Sequence, residues 1–79
     1  MDVESIRVLI RVRMQDGRLP RDSAPQAFGH PGNGQKCNAC DEILTTARLM
    51  MEVTCNGKIF LFHGDCYMLW LDERRAPTS

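Results

Sequence analysis

The chain lacks net charge: ten basic side chains balance ten acidic ones over 79 residues. That excludes polyanion binding driven by bulk charge and leaves only a local basic patch open. It lacks a long apolar run as well. No stretch approaches the ~20 apolar residues a membrane span requires, so no membrane partner is expected. The run Val8-Leu9-Ile10 near the start is short and studded with arginines, unlike the core of a secretory signal. A soluble, reducing, cytoplasmic setting is the expectation. Aromatics are scarce, with three Phe, one Tyr and one Trp, so each is a candidate for the core. Internal repeats are absent. A domain of this length buries only about 60% of the surface its unfolded chain exposes. Its apolar core is marginal, and a covalent or metal staple would help it fold.

What is present falls into three stretches of one domain. Residues 1–17 hold the pattern of an amphipathic helix over 3–15, with Val3, Ile6, Ile10 and Met14 at helical spacing and Leu9 beside them. Asp2 is a candidate cap, and Gly17 a candidate stop. A rival strand pattern alternates Ile6, Val8, Ile10, Val12 and Met14 with Arg7, Leu9, Arg11 and Arg13. The stop signal Gln15-Asp16-Gly17 favours the helix. Residues 18–36 are punctuated by Pro20, Pro25, Pro31, Gly29, Gly32 and Gly34 and read as loop, with Phe28 tucked onto the core. Residues 37–76 are dense in structural signals. Asn56-Gly57 between apolar runs predicts a hairpin with a two-residue turn. That turn pairs Cys55 with Lys58, Thr54 with Ile59, Val53 with Phe60, Glu52 with Leu61, Met51 with Phe62 and Met50 with His63. One face, Leu49, Met51, Val53, Phe60 and Phe62, is then wholly apolar. A short helix follows over 65–75, capped by Asp65 or Gly64 and ended by Pro77, with Cys66, Leu69, Trp70 and Glu73 at helical spacing.

Four cysteines in a small protein of a reducing compartment point to metal more than to disulfides. Cys37-Asn38-Ala39-Cys40 is a C-x-x-C pair, whose tight turn aims two sulfurs at one point. His63-Gly64-Asp65-Cys66 is an H-x-x-C pair at a strand-to-helix junction, where the helix N-terminus favours a thiolate at Cys66. The hairpin between the pairs has both open ends on one side, so the two pairs converge there. Cys37, Cys40, His63 and Cys66 are therefore the expected ligands of one structural zinc ion. Cys55, beside the hairpin turn, lies roughly 20 Å or more away by strand length and reads as a free thiol. A redox C-x-x-C is expected near a βαβ pattern, and none is present. Three thiolates and an imidazole favour zinc over iron. Such a site leaves no open coordination position, so no enzyme activity and no small-molecule substrate are expected.

The block from Cys37 to Trp70 resembles the first zinc-binding half of LIM domains: C-x-x-C, a spacer with strands, an aromatic, then H-x-x-C and an aromatic. Phe62-His63-Gly64-Asp65-Cys66-Tyr67 fits that ending, and the spacer of 22 residues falls in the LIM range. The layout is also similar to a treble-clef zinc finger, and implies a small α+β zinc-binding domain of knuckle, hairpin and C-terminal helix. The sequence departs from LIM domains in having no second finger after Trp70, and in carrying Asp41 where many knuckles have glycine. The chain as a whole resembles a group of short bacterial zinc-finger-like proteins. They share an N-terminal helix, Gly17-Arg18-Leu19-Pro20, a glycine-rich stretch before the C-x-x-C, and a Phe-His-x-x-Cys ending. That resemblance implies the metal site and no activity.

Other residues read more plainly. Arg7, Arg11, Arg18 and Arg21 could form a phosphate-facing stripe for a nucleic acid, but with zero net charge they read as a solvated face balanced by Glu4 and Asp16. His30 reads as a solvated loop histidine, and Tyr67, Trp70 and Leu71 as core. Asp72 and Glu73 have no second polar group placed with them by the sequence. Gly32-Asn33-Gly34 lacks the lysine and helix of a phosphate loop, and Asp41-Glu42 reads as a solvated turn. The function expected is a zinc-stabilised module that binds a protein partner. A nucleic-acid-binding regulator and a thiol-redox or metal-handling protein are the alternatives.

Overall fold

A computed structural model describes residues 2–21 and 26–75. Its elements are α1 (Val3–Gln15), β1 (Gln26–Pro31), β2 (Leu49–Cys55), β3 (Lys58–His63) and α2 (Gly64–Arg75). The strands form one antiparallel sheet in the order β1-β2-β3. α2 packs on β2 and β3, and α1 packs on α2. The protein is a small α+β domain. Pro77, expected to end the last helix, and residues 22–25 of the expected loop lie outside the described residues.

α1 is a helix rather than a strand because its ends are closed and its burial follows a helical period. The Asp2 side chain accepts the Ser5 N–H at 2.8 Å, and Gly17 turns the chain out at φ +87°. Ile10 and Met14 are buried one turn apart, while Val8 and Val12, which a strand would have placed beside them, stay exposed. The hairpin register is the one that the two-residue turn dictates, from Cys55 opposite Lys58 to Met50 opposite His63. Asn56 and Gly57 both have positive φ, +52° and +78°, as a type I′ turn requires.

Two expectations are corrected. Residues 18–36 are not loop throughout, because Gln26–Pro31 form β1, paired with β2 from Gln26 opposite Thr54 to Pro31 opposite Leu49. Proline and glycine are tolerated there because β1 is an edge strand and Pro31 ends it. Phe28 does not tuck onto the core. Its partner is Glu52, so it lies on the outer sheet face and is 62% exposed. Within the apolar hairpin face Val53 and Phe62 are buried, Met51 and Phe60 are half-buried, and Leu49, at the strand end, is exposed. Trp70 from α2 stacks on Phe62 at 5.1 Å between ring centroids, and Tyr67 tilts against both rings. The Trp70 indole N–H donates to the Pro20 carbonyl at 3.1 Å, which ties the segment after α1 to the same core.

Arg7 and Arg11 of α1 are hydrogen-bonded to α2, and Glu4 adds only a longer-range attraction to Arg11. Arg7 reaches Asp72 at 2.8 Å and Glu73 at 2.6 Å, and Arg11 reaches Glu73 at 2.6 Å. Asp72 and Glu73, which the sequence left without polar neighbours, are the acceptors of this interhelical pair. Asp16 does balance an arginine, Arg18, at 2.8 Å. Hydrogen bonds from Arg11 first, then Arg7, outweigh burial and hold the Glu73 carboxyl below its usual value.

Two predictions follow from this packing. Trp70→Ala should cost about 3–5 kcal/mol and Phe28→Ala no more than about 0.5 kcal/mol, read as shifts of the urea midpoint. Equal costs would place Phe28 in the core after all. A carboxylate with a depressed folded pKa contributes stability above its unfolded value and loses it as pH falls through the folded one. Stability should therefore decline below about pH 4.5, the ordinary value for Glu73, and Glu73→Gln should flatten that decline while weakening the protein at pH 7. An unchanged acid slope in the variant would show that the pair with Arg7 and Arg11 contributes nothing.

Candidate metal centre

Two turns supply the donors. The first spans Cys37 to Cys40, where the Asp41 N–H donates to the Cys37 carbonyl at 3.0 Å. Asp41 leaves this turn at φ +67°, in the left-handed region where aspartate is among the few tolerated side chains. That explains how the knuckle closes without the glycine many knuckles carry. The second is the junction of β3 and α2, with His63 the last strand residue and Cys66 in the first turn of the helix. Asn38 joins the two. Its backbone N–H donates to the Leu61 carbonyl at 2.7 Å, and its Oδ1 accepts the Leu61 N–H at 2.7 Å. One asparagine thus occupies both free backbone groups of an edge-strand residue and sets the knuckle beside β3.

The result is a cluster. One donor atom from each of Cys37, Cys40, His63 and Cys66 lies within 4.8 Å of all the others. His63 Nδ1 is 3.4 Å from the Cys40 sulfur and 3.8 Å from the Cys66 sulfur. A tetrahedral zinc site with bonds of about 2.3 Å to sulfur and 2.0 Å to nitrogen places its donors about 3.5–3.8 Å apart, so the spacing fits. The other ring nitrogen fits as well. With the proton on Nε2, His63 donates to the Ile43 carbonyl at 3.1 Å, which leaves the Nδ1 lone pair turned into the cluster, the tautomer a metal ligand needs.

The electrostatics are those of crowded thiols. The Cys66 thiol donating to Cys37, with backbone N–H groups of His63, Cys40 and Ala39, pulls the Cys37 thiol down to about 4 against the opposing effect of burial. Cys66 is pushed up for the complementary reason, as donor to Cys37 and by burial, and burial raises Cys40. The protein groups alone stabilise one thiolate. Zinc coordination requires three, and a divalent cation supplies the missing positive charge. A cleft of about 350 Å3 opens onto Cys40, His63 and Cys66, with Glu42 and Arg48 on its walls, so a cation has a path to the donors.

The sequence-derived quartet is therefore brought together. Cys55 is buried and free, outside the cluster. Burial raises its thiol. His30 is on β1, its Nε2 3.2 Å from Glu52, and takes no part in the cluster. Sequence reasoning missed Asn38 and Arg13. Arg13 donates through Nη1 to the Asn38 and Ala39 carbonyls, at 2.8 and 3.0 Å, and through Nη2 to Asp41. The available signal was position: Arg13 lies three residues beyond Ile10 and next to Met14, on the buried side of α1.

The donor set and the turns that hold it are zinc-finger-like. No family model matches the chain, and no solved structure matches it. A curated protein, the E3 ubiquitin-protein ligase RNF126 of Xenopus tropicalis, is similar to it, with 36% identity over 44 residues. The match covers 56% of this chain and 13% of the ligase. No helix among the described residues is long and apolar enough to cross a membrane.

Asn38→Ala should lower stability by about 0.5–1.5 kcal/mol and speed amide exchange at Leu61, whereas Asn38→Asp, which keeps the acceptor, should not. Slow exchange at Leu61 in the alanine variant would mean that the knuckle is held beside β3 by something else.

Proposed function

We propose that this protein holds one structural zinc ion on Cys37, Cys40, His63 and Cys66, and that the zinc-folded domain is a module for binding a protein partner. The observation that carries the reading is the His63 ring. One nitrogen is already committed to the Ile43 carbonyl and the other lies at ligand spacing from two sulfurs. Three thiolates and a neutral imidazole around a divalent ion leave the site with one net negative charge and no open position. It is a poor Lewis acid, and its contribution is to folding. Knuckle, hairpin and helix follow one another in the order of a treble-clef finger, the arrangement we favour, with the first half of a LIM domain as the nearest pattern in sequence. The exposed Phe28 and Ile59 on the outer face of the sheet support a partner-binding role.

The likeness to RNF126 supports a zinc module. A segment matching 13% of the ligase does not bring ubiquitin ligation with it, and the reading for this chain is binding without catalysis. Nucleic acid is the weaker partner, because Arg7, Arg11, Arg13 and Arg18 are each engaged by carboxylates of the chain itself. A cytoplasmic setting, where cysteines stay reduced, suits the reading.

Elemental analysis of protein purified without added metal should find about one zinc per chain. Cys40→Ser or Cys66→Ser should abolish folding or zinc retention, and Cys55→Ser should keep both. A metal-free wild type that is fully folded with all thiols titratable would overturn the zinc reading. For the partner, binding to single- and double-stranded nucleic acid at two salt concentrations should show no steep salt slope; a steep one would replace the protein partner with a nucleic acid.

A further inference from the structure

Arg13 stands outside the donor set, on α1, yet three of its contacts fall on the knuckle. Its Nη1 donates to two successive carbonyls, Asn38 and Ala39, the residues between the two knuckle cysteines. Each of those carbonyls belongs to a peptide unit whose N–H is carried by the next residue. The Asn38 carbonyl shares its unit with the Ala39 N–H, and the Ala39 carbonyl with the Cys40 N–H. The Ala39 N–H donates to the Cys37 sulfur at 3.4 Å, and the Cys40 backbone N–H acts with it to lower that thiol. The same two peptide units therefore carry a guanidinium at their oxygen ends and the Cys37 sulfur at their nitrogen ends.

We infer that Arg13 is a positioning residue for the metal centre, which acts on the Cys37 thiolate through these two peptide units. A cation at a carbonyl oxygen polarises the peptide and strengthens the hydrogen bond its N–H donates, because linked hydrogen bonds reinforce one another in a low-dielectric setting. Two such units converge on one sulfur. The third contact, Nη2 on the Asp41 carboxylate, holds the residue whose left-handed backbone ends the knuckle. The Arg13 side chain is 11% exposed but the Asp41 side chain 61%, so solvent screens the ion pair more than it screens the part-buried contact with the Ala39 carbonyl. Its Nε is buried with no partner among the described residues; the fold accepts an unsatisfied donor to place the two Nη groups where they are. This extends the zinc reading above and rests on it: α1, which provides no ligand, becomes part of the centre.

The test is zinc affinity measured by competition with a chromogenic chelator, in the full chain, for Arg13→Met, Arg13→Lys and Arg18→Met. Methionine keeps an unbranched apolar stem and removes every donor. Outer-sphere partners of metal ligands are worth about 10- to 100-fold in metal affinity. Arg13→Met should weaken zinc by that much and speed its release to the chelator. Arg13→Lys, with a cation and fewer donors, should recover part of the loss, and Arg18→Met, which breaks the exposed pair with Asp16 and removes only a distant attraction to Asp41, should match wild type. Asp41→Gly relieves the left-handed residue and removes one Arg13 acceptor while leaving both carbonyl contacts. It should hold zinc within about 3-fold of wild type, which separates the peptide route from the ion pair. If Arg13→Met does not fold with zinc present, the graded order Arg13→Lys below Arg18→Met still supports the assignment. Arg13→Met or Arg13→Lys indistinguishable from wild type would overturn it, as would an equal loss in Arg18→Met. A wild type that binds no zinc would sink the zinc reading and this inference together, whereas tight zinc with no Arg13 effect sinks this inference alone.

Discussion

Three sulfurs and an imidazole nitrogen within 4.8 Å of one another pose an electrostatic constraint that the rest of the molecule answers. In a buried cluster one thiolate can be supported by neighbouring S–H and N–H donors, and Cys37 is that one. A second thiolate would face the first across a few ångströms of low dielectric, and Cys40 and Cys66 are both held toward the neutral form. The polypeptide has drawn the donors together, and Arg48, a cation that lines the cleft beside them, is not one of the group. A divalent ion at the centre would turn mutual repulsion into shared attraction. On that reading, ligand convergence and folding are the same event, as befits a chain whose apolar core is small for its length.

The convergence follows from short-range rules. The Asn56-Gly57 turn fixes the register, the register puts His63 opposite Met50 at the open end of the hairpin, and α2 begins at the next residue. Cys66 is then one turn of chain from His63 and faces the same point. The knuckle arrives by a different route, through the paired hydrogen bonds of Asn38 with Leu61. Gly32 makes a separate close approach, to the backbone of Leu44 and Thr45. A Cβ there would lie 2.1 Å from the Thr45 carbonyl oxygen and 2.5 Å from that of Leu44, so only glycine lets the segment after β1 pass beneath the one that leads into β2.

Much of this was legible in the sequence, and the boundary of legibility has physical causes. α1, the hairpin register, α2 and the convergence of the ligand quartet could be read because each is set by residues near in sequence: a cap, a two-residue turn, a spacing of three. β1 was not legible. Gln26-Ala27-Phe28-Gly29-His30-Pro31 has no alternation, and its glycine and proline are signals of loop. Those residues form a strand because β2 offers an edge, a fact about tertiary structure. Phe28 was misplaced for the same reason, since without β1 there was no face to assign it to. The hydrogen-bond partners of Arg7, Arg11 and Arg13 lie between 25 and 66 residues away, beyond any local pattern, and charge balance along the sequence named Glu4, which adds only a longer-range attraction to Arg11.

The arginines also show how α1 is attached. Its backbone lies against α2 and farther from the sheet, with Ile10 and Met14 reaching the core that Val53 and Phe62 also line. Its apolar contribution is small, with Ile10 and Met14 its only buried residues. What holds it is polar and distributed along its length: Arg7 and Arg11 on the C-terminal half of α2, and Arg13 on the knuckle. Because the first turn of α2 carries Cys66, α1 bridges the far end of one donor-bearing element to the turn of the other. Exposed ion pairs are worth little one by one, but Glu73, 7% exposed and shared by two arginines, and Arg13, 11% exposed with three acceptors, are not ordinary surface pairs. A helix that buries so little and yet places its least exposed cations at these two points is better explained as a brace for the turns that carry the donor cluster than as an added piece of core.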